Sequence, residues 1–284
     1  MFAGIELGGT KTVCAVGTGP GRVEARAEFA TQDPEPTLRE IAAFLSRHKF
    51  DRVGVAAFGP VDLRATSTTF GHILNTPKQP WRGFDVVGAL RAALKTEIRI
   101  DTDVGGAALG ELTWGAARGL QTFLYVTVGT GIGGAAFVNG RPLRGLLHPE
   151  MGHLRIPRDA DDRFTGSCPS HVDCLEGLAA GHSMAQRWGA SPATLAPDHP
   201  AWALETRYLA TAVVNWLLTL SPERIILGGG IMEKISLDAL RGQVQALLNG
   251  YCDAPELVRP ALGRNAGVLG AIALAAGETA RPTL

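Results

Sequence analysis

Two similar turns rich in glycine and threonine constrain this chain most, because each lies between two short apolar segments. The first turn, residues 8–11, separates predicted strands at 4–7 and 11–16. The second turn begins at Gly129 and follows a predicted strand at 122–128. Each of these hairpins is followed by further strands and helices. Such a repeated pattern predicts two similar α/β lobes.

The remaining segments agree with this organisation. Apolar spacing predicts helices at 37–50, 84–94 and 106–115, and strands at 23–29, 52–58 and 97–102. In the second half, a strand at 134–138 leads to Asn139-Gly140, a strong hairpin signal, and a short strand is expected after it. Residues 146–176 read as irregular. The rest reads as helical, apart from a strand at 224–227. No polar linker separates the halves, so we expect lobes packed around a cleft.

Composition excludes several classes of protein. The 36 glycines are about twice the usual share, but they show no three-residue period and only 17 prolines accompany them, so a collagen-like chain is excluded. Lys and Arg total 27, as do Asp and Glu, and this balance argues against a nucleic-acid or membrane-surface protein. No apolar run is long enough for a membrane span, and no basic segment precedes an apolar stretch at the N-terminus. We therefore expect a cytoplasmic protein.

The glycine loops are candidate phosphate sites. Backbone N–H groups in the first turn can face an anion, with Lys11 adding charge, although an ordinary hairpin turn is an equal alternative. In the second loop Gly129, Gly131 and Gly134 fit G-x-G-x-x-G, but a strand follows instead of a helix, which argues against a dinucleotide fold. Two such hairpins suggest two loops gripping one polyphosphate. The triple glycine at 228–230 permits either close approach of a flat ligand or tight packing.

Two aspartates, Asp101 and Asp103, follow a predicted strand and precede a helix of small residues. Ligands of α/β proteins bind at this place. Asp103 is a candidate base for a substrate hydroxyl, as phosphoryl transfer with Mg²⁺ requires. Asp101 is the alternative base, or else a helix cap, and spacing alone does not separate the two.

A histidine and a C-x₂-H-x₂-C segment supply four ligands of the kind that zinc prefers. They are His153, Cys168, His171 and Cys174. A closed site would stabilise an otherwise irregular loop, so we predict structural zinc; the alternative is a chance cluster of polar surface residues. The other two cysteines, Cys14 and Cys252, are interpreted as packing residues.

Taken together, these segments resemble the ROK family of sugar kinases over nearly the whole chain. The resemblance rests on both phosphate hairpins, the segment 101–111, E-x-G-H at 150–153, the cysteine-rich loop ending in Cys-Leu-Glu at 174–176, and the triple glycine. It implies an α/β, two-lobed actin-like ATPase fold in which each lobe is a mixed sheet flanked by helices. The implied lobes are 1–113, onto which a C-terminal helix at 270–284 packs, and 114–269, which includes a zinc loop at 146–176.

Within the family, the chain looks like the bacterial fructokinases, on the segments 4–11, 58–62 and 76–81 and the C-P-x-H-x-x-C-L-E loop. The resemblance implies ATP, Mg²⁺, structural Zn²⁺ and a homodimer, with Asp103 as catalytic base. The implied sugar ligands are Asp103, Asn75, Glu150, His153 and Glu176, and His153 is also a zinc ligand. The implied ATP-binding residues are Gly8, Gly9, Thr10, Lys11, Gly129, Thr130, Gly131, Gly133, Gly228, Gly229 and Gly230. Small residues at 266–271 resemble the second connecting helix between lobes, where they allow close helix contact.

One position departs from the family pattern. Gly105 stands where these kinases usually carry an asparagine that helps to organise the sugar loop. This leaves sugar selectivity and catalytic efficiency open. The alternatives are a kinase for mannose, glucose or an N-acetylhexosamine, and a sugar sensor without catalysis. A ROK repressor is disfavoured, because the first hairpin begins within ten residues of Met1 and leaves no room for a DNA-reading domain.

Overall fold

A computed structural model describes residues 1–277, and these form two compact units. The first contains Met1–Gly119, Gly140–His148 and the segment that begins at Ala261. The second contains Leu120–Asn139 and Pro149–Pro260. Among residues 1–277, no helix combines the length and the hydropathy needed to cross a membrane.

The first unit is a five-stranded mixed sheet in the order β3-β2-β1-β4-β5. β1 and β2 are antiparallel, as are β2 and β3, whereas β4 and β5 run parallel to β1. The strands are β1 (Phe2–Leu7), β2 (Lys11–Gly17), β3 (Val23–Ala30), β4 (Arg52–Ala57) and β5 (Ile98–Thr102). The helices are α1 (Pro34–Leu45), α2 (Val86–Leu94), α3 (Asp103–Trp114) and α8 (Ala266–Ala276).

Helices α3 and α8 pack closely because both carry glycines where the two helices meet. A Cβ atom on Gly270 would lie 1.7 Å from the main-chain oxygen of Gly106, and one on Gly110 would lie 2.8 Å from that of Ala266. The same holds against the sheet, where a Cβ on Gly54 would lie 1.9 Å from the oxygen of Ala271. The close helix contact expected from the small residues at 266–271 is confirmed.

The second unit repeats this topology. The strands of its sheet have the order β10-β9-β6-β7, with β6 antiparallel to β7 and parallel to β9. The strands are β6 (Phe123–Val128), β7 (Ile132–Val138), β9 (Arg224–Gly228) and β10 (Glu256–Val258), while the short strand β8 (Arg141–Pro142) falls in the segment 140–148 of the first unit. The helices are α4 (Leu175–Ala179), α5 (Gly181–Trp188), α6 (Pro200–Leu220) and α7 (Leu237–Leu248). The two similar α/β lobes predicted from the paired hairpins are therefore seen in the topology.

The unit boundaries differ in detail from the predicted lobes. The first unit continues to Gly119, because main-chain N–H groups after α3 bond back to Glu111. The carboxylate of Glu111 also accepts from the N–H groups of Ala261 and Leu262, which lie just before α8. The chain therefore returns to the first unit at Ala261, before residue 270, where the sequence predicted the start of the returning helix. Residues 278–284 of the predicted C-terminal helix lie outside the described part of the chain.

The predicted secondary structure differs from the structure at several places, among them the start of α3, which begins at Asp103 and not at residue 106. The helix predicted at 37–50 runs over Pro34–Leu45, since proline fits the first turn of a helix and the chain turns out of the helix after Leu45. The strand β10 was missed, because three residues are too few for a period to be recognised.

Candidate functional site

The two candidate aspartates lie at the junction of β5 and α3. Asp103 is the first residue of α3, and the cap is Thr102, whose Oγ1 accepts from the N–H of Gly105 at 2.9 Å. The cap alternative for Asp101 was therefore wrong. Asp101 has both oxygens occupied, by the N–H of Thr102 at 2.8 Å and by Nη2 of Arg144 at 2.5 Å. Burial raises the pKa of Asp101, and the charge of Arg144 acts in the opposite direction. Asp101 is thus held in place by two hydrogen bonds.

Asp103 is less constrained. Its Oδ1 accepts from the N–H of Val104 at 2.8 Å, and among residues 1–277 no cationic side chain forms an ion pair with it. Burial raises the pKa of Asp103 to about 6. Near pH 7 the group is therefore ionised and still basic enough to take a proton, as a general base requires.

Glu6, at the end of β1, faces the same region. Burial, and then the negative charge of Asp103, raise the pKa of Glu6 to about 7, while the charge of Lys11 acts in the opposite direction. Its Oε2 is buried and accepts no hydrogen bond from the described residues. Glu6 and Asp103 thus interact electrostatically, and two neighbouring carboxyl groups with raised pKa values form a place where a cation is favourable.

The first glycine loop is a tight hairpin closed by a bond from the N–H of Gly8 to the oxygen of Lys11 at 3.0 Å. Gly9 and Thr10 form its tip, and Thr31 Oγ1 donates to the oxygen of Gly8 at 2.7 Å. The Lys11 ammonium lies 3.3 Å from Glu28 Oε1. The Lys11 side chain is thus paired with a residue of the neighbouring strand β3.

Asn75 is exposed at the end of a loop in the first unit. The loop is ordered by the buried carboxylate of Asp62, which accepts from Arg64, Ser67 and Thr69. These hydrogen bonds, the Arg64 one foremost, hold the pKa of Asp62 far below its usual range. Asp62 thereby fixes the path of the chain that leads to Asn75.

The four predicted metal ligands come together in the second unit. The ligand atoms of His153, Cys168, His171 and Cys174 all lie within 4.8 Å of one another. His153 Nδ1 lies 3.5 Å from Cys174 Sγ and 3.6 Å from Cys168 Sγ, and His171 Nδ1 lies 3.8 Å from Cys168 Sγ. Tetrahedral zinc with bonds of about 2.0–2.3 Å needs ligand separations of about 3.3–3.8 Å. The donor types and these three separations therefore fit zinc.

The other ring nitrogen of His153 lies near Glu150. While Nδ1 of His153 points into the cluster, Nε2 lies 4.0 Å from Glu150 Oε2. Burial lowers the pKa of His153, which favours the neutral imidazole that binds metals, and burial raises the pKa of the Cys174 thiol to about 11. A metal at this site would displace that thiol proton and hold the His153 ring with its free edge toward Glu150.

The second glycine loop and the triple glycine lie together. A hydrogen bond from the N–H of Gly129 to the oxygen of Gly131 closes the turn at 2.9 Å, and Gly133 lies in β7 opposite Thr127. Gly229 has a φ of 93°, and a Cβ on it would lie 2.3 Å from the oxygen of Val128. Gly228 ends β9 and Gly230 has open space beside it. Gly229 is thus required for tight packing, while the approach of a flat ligand at Gly230 stays a prediction.

Glu176, which follows the candidate metal ligand Cys174, is hydrogen-bonded to the turn of the second glycine loop. Its Oε2 accepts from the N–H of Ile132 at 2.9 Å, and its charge acts on His153. A side chain at Gly131 would collide with this carboxylate, because a Cβ there would lie 2.7 Å from Oε2. Glu176, proposed from the resemblance as a sugar ligand, therefore also supports the second glycine loop.

Two groups that shape the site were not identified from the sequence. Arg144 binds Asp101, and His148 Nε2 lies 3.2 Å from the N–H of Val61, which lies near Asn75 in the same unit. Both come from residues 140–148, which the pattern marked only as a short strand and irregular chain. Their partners are distant in sequence, so no local signal identified them.

Comparisons with known proteins agree with this arrangement. The model of the ROK family matches residues 2–278. A putative fructokinase of Bacillus subtilis is 44% identical over 284 residues, covering 97% of this chain and 95% of the relative. A fructokinase of Lactococcus lactis is 41% identical over 256 residues, covering 89% and 87%.

Among solved structures, the ROK hexokinase of Thermus thermophilus superposes with a TM-score of 0.78 at 28% identity, covering 97% of both chains. The predicted fold class, with a mixed sheet flanked by helices in each lobe, is confirmed. The repeated topology, the paired glycine loops and the match over nearly every residue lead to one conclusion: this chain belongs to the ROK family.

Proposed function

We propose that this protein transfers the terminal phosphoryl group of ATP to a hexose, converting D-fructose to fructose 6-phosphate. The observation that carries the reaction type is Asp103, a carboxylate with a pKa of about 6 at a helix start in the unit that holds the first glycine loop. Support for fructose comes from the relatives at 44% and 41% identity, which are named fructokinases.

In the proposed reaction, Asp103 accepts the proton of the sugar 6-hydroxyl. The hydroxyl oxygen then forms a bond to the terminal phosphorus of ATP, the bond from that phosphorus to the bridging oxygen breaks, and ADP leaves. Asn75, Glu150, His153 and Glu176 are the proposed sugar ligands. They supply an amide, two carboxylates and an imidazole edge, groups that suit the hydroxyls of a hexose.

ATP enters with its Mg²⁺ as substrate. The two glycine loops are the proposed phosphate contacts, and Gly230, with open space beside it, is proposed to lie toward the adenosine. Glu6 has a buried, unpartnered carboxylate oxygen among the described residues, and this oxygen suits the hydration shell of that cation. His153, Cys168, His171 and Cys174 would hold zinc, which supplies structural cross-linking of the loop and no step of the reaction.

A hexose panel tests the substrate. With purified protein, ATP and Mg²⁺, we expect ADP formation to depend on sugar, with kcat/KM for fructose at least about tenfold above that for mannose, glucose and N-acetylhexosamines. A coupled ADP assay measures this, with chelated Mg²⁺ as the blank. A higher kcat/KM for another hexose would reassign the substrate, and sugar-independent traces of ADP alone would favour the sensor.

Gly105 gives a second test. A Cβ atom on it would lie 2.5 Å from Asp101 Oδ1 and 2.9 Å from Thr102 Oγ1, and Asp101 is already held by Arg144. Gly105→Asn is therefore expected to lower the free energy of unfolding by about 1–3 kcal/mol. By shifting the turn before Asp103 it should also lower kcat/KM about tenfold or more.

The matched control is Gly242→Asn on α7, where a Cβ atom would have open space. We expect that variant to retain wild-type kcat/KM. A Gly105→Asn enzyme as active as wild type, or more active, would contradict this expectation. It would show that the ion pair between Asp101 and Arg144 does not require glycine at position 105. Gly105→Ala adds the Cβ alone and separates the collision from any effect of the amide.

A further inference from the structure

The segment that follows the candidate metal ligands makes a row of hydrogen bonds to the second glycine loop. The N–H of Gly181 donates to the oxygen of Gly129 at 2.8 Å, and the N–H of His182 donates to the oxygen of Thr130 at 3.3 Å. The His182 ring adds a third bond, from Nδ1 to the same Thr130 oxygen at 2.7 Å. Two successive carbonyl groups of the loop are thus bound to the start of α5.

The direction of these bonds determines where the loop N–H groups point. A carbonyl oxygen only accepts, so Nδ1 of His182 must carry the proton. A peptide group is planar and trans, so the N–H that follows a carbonyl points the opposite way. Because the oxygens of Gly129 and Thr130 face α5, the N–H groups of Thr130 and Gly131 face away from it.

Those two N–H groups have no protein acceptor within residues 1–277, although neighbouring groups of the same turn are paired. The N–H of Gly129 bonds within the turn, and the N–H of Ile132 donates to Glu176. Consecutive N–H groups that point the same way form a concave site for an anion. The two unpaired N–H groups are therefore those whose direction is set by the hydrogen bonds from the start of α5.

We propose that His182 is a positioning residue of the nucleotide site, where its ring holds the Thr130 carbonyl so that the N–H groups of Thr130 and Gly131 bind ATP phosphates. This inference rests on the proposed function. Of the hydrogen bonds between α5 and the loop, the ring bond is the shortest, and it depends on the side chain. The other two are main-chain bonds, so they are available to any residue except proline at position 182.

The test compares two substitutions of His182. His182→Leu removes the donor while keeping an apolar side chain of moderate size, whereas His182→Asn places an amide nitrogen near the position of Nδ1. Calorimetry with Mg²⁺ and ADP, or a non-hydrolysable ATP analogue, measures nucleotide affinity directly. We expect His182→Leu to raise the Kd for ADP and the KM for ATP about five- to tenfold, and His182→Asn to stay within about twofold of wild type. The KM for fructose should stay within about twofold in both.

His199→Leu is the structural control, because this histidine caps α6 in the same unit through a bond from the Ala201 N–H at 3.2 Å. It should lower the melting temperature and leave ADP affinity unchanged. The inference fails if His182→Leu binds ADP as wild type does. It also fails if weaker binding is matched by weaker fructose binding or appears equally in His199→Leu. Wild-type protein that binds neither ADP nor the analogue would instead overturn the proposed function.

Discussion

Replacing Asp103 by asparagine is expected to reduce kcat by about 10²- to 10⁴-fold, while the KM for fructose changes little. Asparagine has nearly the same shape, but its amide takes no proton from the sugar hydroxyl. The side chain begins α3 and accepts from the N–H of Val104, a bond that the amide oxygen retains. Folding should therefore survive, and steady-state kinetics with a thermal melt on each variant would measure both effects.

Asp101→Asn is the matched control, because Asp101 is the other candidate base at the end of β5. Its two oxygens are already bonded to Thr102 and Arg144, so we expect a much smaller loss of kcat and a lower melting temperature. Near-normal turnover of Asp103→Asn, or a larger loss in Asp101→Asn, would move the role of base to Asp101.

The wild-type enzyme should also lose kcat/KM as the pH falls through about 6, because protonated Asp103 is no longer a base.

Removal of the metal is expected to have the second large effect. The loop that carries Cys168, His171 and Cys174 has little regular structure, and Val172 within it has a φ of 60°, which is unfavourable for a β-branched residue. A bound ion would hold this conformation, since metal binding contributes directly to folding. We expect about one zinc per chain, and Cys174→Ser should lower the melting temperature by about 10 °C.

Metal analysis and calorimetry, with and without a strong chelator, would measure these effects. Cys252→Ser is the control, because Cys252 is an exposed free cysteine outside the cluster. Since Glu176 and His182 follow Cys174 and contact the second glycine loop, loss of the metal should also weaken ADP binding. Zinc-free protein with full stability and unchanged ADP affinity would contradict both expectations.

The sequence predicted what depends on neighbouring residues. Alternating apolar segments and the two glycine turns predicted the strands β1, β2, β6 and β7 within a few residues, and the C-x₂-H-x₂-C spacing predicted three candidate metal ligands in one loop. These features depend on backbone geometry over a few residues, so a local pattern is enough. Even so, the pattern left Asp101 and Asp103 as equal candidates, since both stand at the same strand end.

The sequence did not reveal contacts between distant segments. Arg144 meets Asp101 across 43 residues, Glu176 meets Ile132 across 44, and His182 meets Thr130 across 52. Each pair forms because separate helices and strands pack side by side, and no periodicity within one segment records that packing. The Arg144 contact is the one that distinguishes the two aspartates, because it occupies Asp101.

By itself, then, the sequence determined the repeated α/β pattern, the glycine loops and the chemistry of the metal donors, since these follow from local conformation and side-chain type. Only the tertiary structure decided which groups remain available. It paired Asp101 with Arg144 and left Asp103 without a cation among the described residues, and it turned the carbonyls of Gly129 and Thr130 toward α5. The physical reason is that hydrogen bonds and ion pairs between distant residues form only after the core has packed.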